Sequence, residues 1–154
     1  MNVGLTQKCL TSGGAMSGIN VRRVILGGLV AGLVANGFDF VITSYLMATE
    51  FASILARLNV SEAAAQSWIW LFAAADFIWG LLLVFTYAAM RPRFGPGPKT
   101  AVVSGIVLWL AFAIALLVLM AIGLHTPQSY LKSSALYLVS ALVSSLVGAA
   151  LYKE

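Results

Sequence analysis

Charged residues are scarce in this sequence. Of its 154 residues, 9% are charged and 61% are hydrophobic, whereas a soluble domain carries about 25% charged residues. This deficit argues against a water-soluble fold and indicates a chain that lies mostly in lipid. The net charge of +4 is too small to suggest nucleic-acid binding.

Cysteine and histidine are nearly absent. Cys9 is the only cysteine and His125 the only histidine, which excludes an intrachain disulfide, a cysteine metal cluster and a haem bound by two histidines of one chain. The sequence also contains no nucleophile elbow, phosphate loop or HExxH pair. We therefore expect no enzyme activity, no cofactor and no metal site.

Long uncharged hydrophobic stretches dominate the rest of the chain. Four of them are long enough to cross the ~30 Å hydrocarbon layer as helices. The predicted spans are at about 24–47, 67–90, 100–124 and 133–152. The fold class is therefore an all-α, integral membrane four-helix bundle, and the short connections predict that neighbouring spans run antiparallel.

Two segments lie outside these spans. Residues 1–20 are polar and rich in Gly, Ser and Thr, which predicts a flexible cytoplasmic tail before one membrane domain at 21–154. Translation is expected to start at Met1 or at Met16. After the first span, apolar residues recur at helical spacing over 47–58. That segment either prolongs the span or forms an amphipathic interfacial helix, and Asn59 or Ser61 is expected to cap the next helix.

Basic residues divide unequally between the two ends of the predicted bundle. Arg57 and Lys132 fall at one end, and seven others fall at the opposite end. Because positive charge is retained in the cytoplasm, both termini are predicted to be cytoplasmic. Five of the seven flank the spans closely enough to set topology or contact lipid headgroups. These five are Arg22, Arg23, Arg91, Arg93 and Lys99.

Small and polar residues share narrow arcs on three of the spans. Such arcs allow helices to approach closely in lipid and keep polar groups away from acyl chains. On the first span the arc also carries Asn36, Asp39 and Thr43. The residues predicted to pack helices together are Gly28, Gly32, Gly80, Ser140, Ser144 and Gly148.

Asp39 and Asp76 are the only acids inside the predicted spans. Asp39 follows Arg23 by sixteen residues and Asp76 precedes Arg91 by fifteen, so each lies ~22–24 Å from the basic end. If they approach one another, they would titrate as a coupled pair that shares one proton. This motivates a proton or cation site, to which Asn36 and Thr43 would add polar groups.

A structural role for the two acids competes with this hypothesis. A membrane aspartate is also stable when it is protonated, or when it bonds to Asn36, to Trp79 or to a serine of the fourth span. It would then fasten helices together. Trp79 and Trp109 are themselves expected to pack the bundle rather than to stack on a ligand.

One stretch carries a resemblance. The residues Tyr87-Ala88-Ala89-Met90-Arg91-Pro92-Arg93-Phe94-Gly95-Pro96-Gly97-Pro98-Lys99-Thr100-Ala101, with the glycine-rich start of the first span, resemble small bacterial four-helix membrane proteins. The resemblance covers the four spans but not the first twenty residues. It implies a bacterial inner-membrane location and brings no activity, cofactor or catalytic residue.

Two functions remain open at this point. The sequence favours a non-enzymatic inner-membrane protein that acts by association, as a homo-oligomer or as an accessory subunit of another membrane protein. The alternative is a small proton- or cation-coupled transporter that uses Asp39 and Asp76. Because four spans leave little room for a pathway in one protomer, that alternative predicts at least a dimer.

Overall fold

The computed structural model describes residues 19–152, and its regular structure there is entirely helical. The predicted tail at 1–20 therefore lies almost wholly outside the described residues, as do Cys9 and Met16. The helices are α1 (Val21–Val41), which continues as a π-helical turn (Ile42–Leu46), α2 (Ala48–Arg57), α3 (Glu62–Ser67), α4 (Ile69–Phe94), α5 (Pro98–Ala121) and α6 (Pro127–Leu151).

Four of these helices are long and apolar enough to cross a membrane. They are α1 with its π-helical turn, α4, α5 and α6, each of 24 to 26 residues. At 1.5 Å per residue such helices are ~36–39 Å long, and large apolar side chains cover their outer faces, for example Leu33, Ile78 and Val118. The chain is therefore a multi-pass membrane protein.

Local capping sets several helix starts. Ser61 accepts a hydrogen bond from the Ala64 N–H and caps α3, so it is Ser61 rather than Asn59 that serves as the cap. Asn59 instead adopts a left-handed backbone with φ 53°, a conformation that asparagine tolerates. Thr126 caps α6 in the same way through the Ser129 N–H.

Prolines account for two differences between the predicted and the observed helix ends. The second predicted span ends at about residue 90, before Pro92, but α4 continues to Phe94 and ends at Gly95, where φ is 78°. A proline in a last turn removes only one backbone hydrogen bond of the helix. Likewise α6 begins at Pro127, six residues earlier than predicted, because proline is favoured in the first turn of a helix.

Glycines bring α1 and α4 into backbone contact. A Cβ atom added to Gly32 would lie 2.7 Å from the Cα of Phe77, and one on Gly28 equally close to the Cα of Leu81. On the other side of this contact, a Cβ on Gly80 would collide with the backbone of Gly28 and Gly32. The two helices therefore approach as closely as small residues allow.

Helix α6 packs on α1 and α5 through small residues as well. A Cβ on Gly27 would lie 2.7 Å from the Gly148 carbonyl oxygen. Between α5 and α6, the hydroxyls of Ser104 and Ser145 are 2.8 Å apart, and Ser145 donates to the Ala101 carbonyl at 2.7 Å. Ser140 and Ser144 are buried in α6.

Helix α2 is separate from the first span. The chain breaks helical geometry at Met47, where φ is −129°. Two polar contacts then hold α2 across one end of the bundle: Glu50 pairs with Lys132 of α6 at 2.9 Å, and Arg57 donates to the Gly123 carbonyl after α5 at 2.6 Å. The hydrogen bond from Lys132 lowers the pKa of Glu50 from 4.5 to about 2, so this carboxylate stays charged at neutral pH.

Two tyrosines join helix ends at the opposite end of the bundle. The Asn20 N–H donates to the Tyr152 hydroxyl at 3.0 Å, and the Gly97 N–H donates to the Tyr87 hydroxyl at 3.2 Å. The two rings meet edge to face at 6.0 Å, and the Arg91 guanidinium lies 5.2 Å from the centre of the Tyr152 ring. We call this the basic end, because Arg22, Arg23, Arg91, Arg93 and Lys99 lie on the helix ends that meet there.

Candidate functional site

A cavity of about 270 Å³ lies between the four spans. Each of the four helices contributes at least two residues to its wall, so the cavity is central to the bundle of one chain. Its walls are mostly aromatic rings and methyl groups, and the polar groups of its lining side chains are two carboxyls, two hydroxyls and two indole N–H groups. The lining residues are Ala35 and Asp39 of α1, Ala75, Asp76 and Trp79 of α4, Trp109 and Phe112 of α5, and Tyr137 and Ser140 of α6.

Both intramembrane acids reach this cavity. Asp39 lies seven residues before the end of the first span at Leu46, and Asp76 lies seven residues after the start of α4 at Ile69. At 1.5 Å per residue, both are therefore ~10 Å from the end covered by α2 and ~27 Å from the basic end. The structure brings together two residues that the sequence places at equal depth.

Tyr137 is a partner of Asp39 that sequence reasoning missed. Its phenol O–H donates to Oδ1 of Asp39 at 2.6 Å, which joins α6 to α1. The sequence points instead to Asn36, Trp79 or a serine as partners. The sequence does contain a signal for this contact. Tyr137 shares an arc of α6 with Ser140, and a buried tyrosine hydroxyl usually finds a hydrogen-bond acceptor.

The side chains of Asn36 and Thr43 donate hydrogen bonds to backbone carbonyls. The Asn36 side chain donates to the Gly32 carbonyl at 3.0 Å and to the Ala73 carbonyl at 3.3 Å, so it ties α1 to α4. The Thr43 hydroxyl donates to the backbone carbonyl of Asp39 at 2.7 Å, a common use of a helical threonine. Both residues lie about one helical turn from Asp39, Asn36 on α1 and Thr43 in the π-helical turn, and neither is among the residues that line the cavity.

Aromatic rings form one wall of the cavity. The Trp79 and Phe112 rings meet edge to face at 6.0 Å, and Phe112 meets Tyr137 in the same way at 4.8 Å. The Trp109 indole N–H donates to the Ser134 carbonyl at 2.8 Å, which fixes that ring. Trp79 and Trp109 thus contact neighbouring helices and also line the cavity, and the expectation that they do not stack on a ligand stays a prediction.

The charged residues that line the cavity are all acidic. Among the described residues that line the cavity, two are acidic and none is basic. An ionised carboxylate away from water is costly unless a positive charge compensates it. The pair can therefore hold protons, or it can release a proton when a cation enters. Across residues 19–152, no three His, Cys, Asp or Glu side chains cluster as a metal site would require.

Comparison with known proteins does not identify a relative. No protein-family model, curated protein or solved structure matches this chain. The resemblance to small bacterial four-helix membrane proteins therefore stays a prediction. Function has to be inferred from the cavity and its two carboxyl groups.

Proposed function

We propose that this membrane protein binds a monovalent cation between Asp39 and Asp76 and exchanges it for a proton. One observation carries the proposal: the two acids of the spans line the same central cavity, to which all four spans contribute. Membrane acids that face a cavity inside a bundle are typical of ion and proton pathways. The site uses residues of one chain, so a second protomer is not needed to form it.

The exchange follows from charge balance in a cavity within the bundle, where the two acids are half-buried. Two carboxyls that share a site do not both ionise without compensation. When a monovalent cation enters, one proton leaves a carboxyl oxygen and the net charge of the cavity is unchanged. When the cation leaves, a proton returns to the same oxygen. The movement of one species is thereby coupled to that of the other.

Orientation in the membrane is part of this proposal. Antiparallel neighbours are supported by three contacts between α1 and α4, in which Gly28 faces Leu81, Gly32 faces Phe77 and Asn36 bonds to Ala73. The basic end is assigned to the cytoplasm, because positive charge is retained there, and its arginines would contact anionic lipid headgroups. A bacterial inner membrane is the location that the sequence resemblance implies, and a reporter fused to the C-terminus tests the sidedness.

Association with other chains stays a prediction. The small residues expected to mediate helix contact, Gly28, Gly32, Gly80 and Gly148, are buried between spans of the same chain. Because they are buried within one chain, these residues do not form a surface on which another membrane protein would bind. Native mass spectrometry of protein extracted in mild detergent tests for a homo-oligomer or a second membrane protein, and we expect neither to be required for cation exchange.

Cation–proton exchange can be measured in liposomes that contain the purified protein and an internal pH dye. Sodium, potassium or an organic ammonium ion is added outside, with the membrane potential clamped. We expect at least one cation to make the lumen alkaline faster than in protein-free liposomes, because each entering cation releases one proton outward. If no cation changes the internal pH, the proposed function is wrong.

A further inference from the structure

The cavity offers two kinds of contact to a cation. The carboxyls of Asp39 and Asp76 line the cavity together with the rings of Trp79, Phe112 and Tyr137, and the Tyr137 hydroxyl bonds directly to Asp39. An aromatic ring carries negative electrostatic potential on its face and attracts a cation whose centre lies within about 6 Å. Both contacts therefore favour positive charge, but the rings favour one that is spread over an organic group.

A bare metal ion that takes six or more ligands would need every side-chain oxygen of this lining. The lining side chains supply at most six oxygens, four from the two carboxyls and two from the hydroxyls of Tyr137 and Ser140, which is only the lower limit of the about six to eight that a hard cation such as Ca²⁺ takes. The Tyr137 hydroxyl already donates a hydrogen bond to Oδ1 of Asp39, so two of these oxygens are engaged with each other. An alkylammonium ion needs fewer oxygens, because its methyl or methylene groups are solvated by rings and alanine methyls.

The size of the cavity limits the ligand further. Pockets for drug-sized ligands measure about 300–1,000 Å³, and this cavity is slightly smaller at about 270 Å³. The rings are also held in place before any ligand binds, by the contacts among Trp79, Phe112 and Tyr137 and by the bond from Trp109 to Ser134. A prearranged wall loses little conformational entropy on binding.

We propose that the exchanged cation is a small organic ammonium ion, whose alkyl groups contact Trp79, Phe112 and Tyr137 while Asp39 and Asp76 balance its charge. This inference rests on the proposed exchange at the two carboxyls and adds the class of the substrate. The carboxyls and the rings act on the charge of the ligand, while the rings and the alanine methyls contact its alkyl groups. A neutral molecule of the same shape should therefore bind much more weakly.

The test uses choline and its uncharged isostere 3,3-dimethyl-1-butanol, titrated into the full-length protein in detergent by calorimetry. We expect choline to bind at least about tenfold more tightly than the isostere, because both carboxyls and the rings act on its charge. Trp79→Leu should weaken choline binding by about tenfold, since it keeps apolar volume but removes the ring face. Trp68→Leu is the matched control, because Trp68 is exposed outside the cavity and its loss should change nothing.

The possible results distinguish the two proposals. If sodium or potassium binds and exchanges for protons but choline does neither, the ammonium inference is wrong and the proposed function stands. If choline and its isostere bind equally, recognition of charge is refuted. If no cation binds, both proposals fall. Phe112→Leu replaces Trp79→Leu as the test variant if circular dichroism shows that the latter is unfolded.

Discussion

Asp76→Asn is expected to slow cation–proton exchange by about 100-fold or more and to leave the protein folded. Asparagine has the shape of aspartate but neither balances a cation nor carries an exchangeable carboxyl proton. Because Asp76 is half-buried, we expect the lower limit, about 3 kcal/mol, of the cost of an uncompensated buried charge, which corresponds to about 100-fold. Asp39→Asn should have the same effect, because both residues line the one cavity. In the Asp39→Asn variant the new amide oxygen can still accept the hydrogen bond from Tyr137, so α1 and α6 stay joined.

Glu50→Gln provides the matched control for these two variants. It makes the same chemical change in a carboxyl that lies on α2, outside the cavity, and pairs with Lys132. Because exposed ion pairs contribute little, its exchange rate should stay within about twofold of the wild type. Rates are measured in liposomes and folding by size-exclusion chromatography. An exchange rate equal to that of the wild type in folded Asp76→Asn protein would contradict the proposal. Loss of folded protein in both Asp variants would show that the two acids hold the helices together and do not form an exchange site.

Gly80→Ala should destabilise the fold by about 3 kcal/mol, the upper part of the range for overpacking. The added Cβ would collide with the backbone nitrogen of Gly32 and the carbonyl oxygen of Gly28. Backbone atoms of a helix have no rotamer by which to move aside. The α1–α4 contact must therefore open, and the apolar surface between the two helices is no longer closely packed.

Gly37→Ala is the control for this change, because a Cβ on Gly37 meets no atom within 4 Å. Alanine is also the better helix former by about 1 kcal/mol, so this variant should be as stable as the wild type or slightly more so. Thermal unfolding in detergent, followed by circular dichroism, measures both. Equal melting temperatures for the two variants would show that the backbones of α1 and α4 lie too far apart to collide with a Cβ at position 80.

Much of the fold could be predicted from the sequence because lipid imposes simple rules. Length and hydropathy indicate the four spans, and the arc through Gly28 and Gly32 indicates the face of α1 that meets α4. The helix ends are harder to predict. The prolines at 92 and 127 suggest loops between helices, yet Pro92 lies in the last turn of α4 and Pro127 in the first turn of α6. Only the capping geometry distinguishes these cases.

The site could be predicted only in part. Equal depth of Asp39 and Asp76 follows from counting residues, because the rise of a helix is fixed. The aromatic wall does not follow, since the hydroxyl residues of α5, Thr100 and Ser104, lie in its first two turns, and no polar arc near Trp109 and Phe112 indicates which face turns inward. Trp109 is oriented by a backbone carbonyl, that of Ser134, and every helical residue has such a carbonyl.

The number of protons released per bound cation tests the central claim most directly. Protein in weakly buffered detergent solution is titrated in turn with sodium, potassium and choline, while calorimetry counts bound cations and a pH indicator counts protons. The paired carboxyls predict one proton released for each cation bound, and none from a variant that combines Asp39→Asn with Asp76→Asn. Binding without proton release, or the same release from the double variant, would contradict exchange at these two residues.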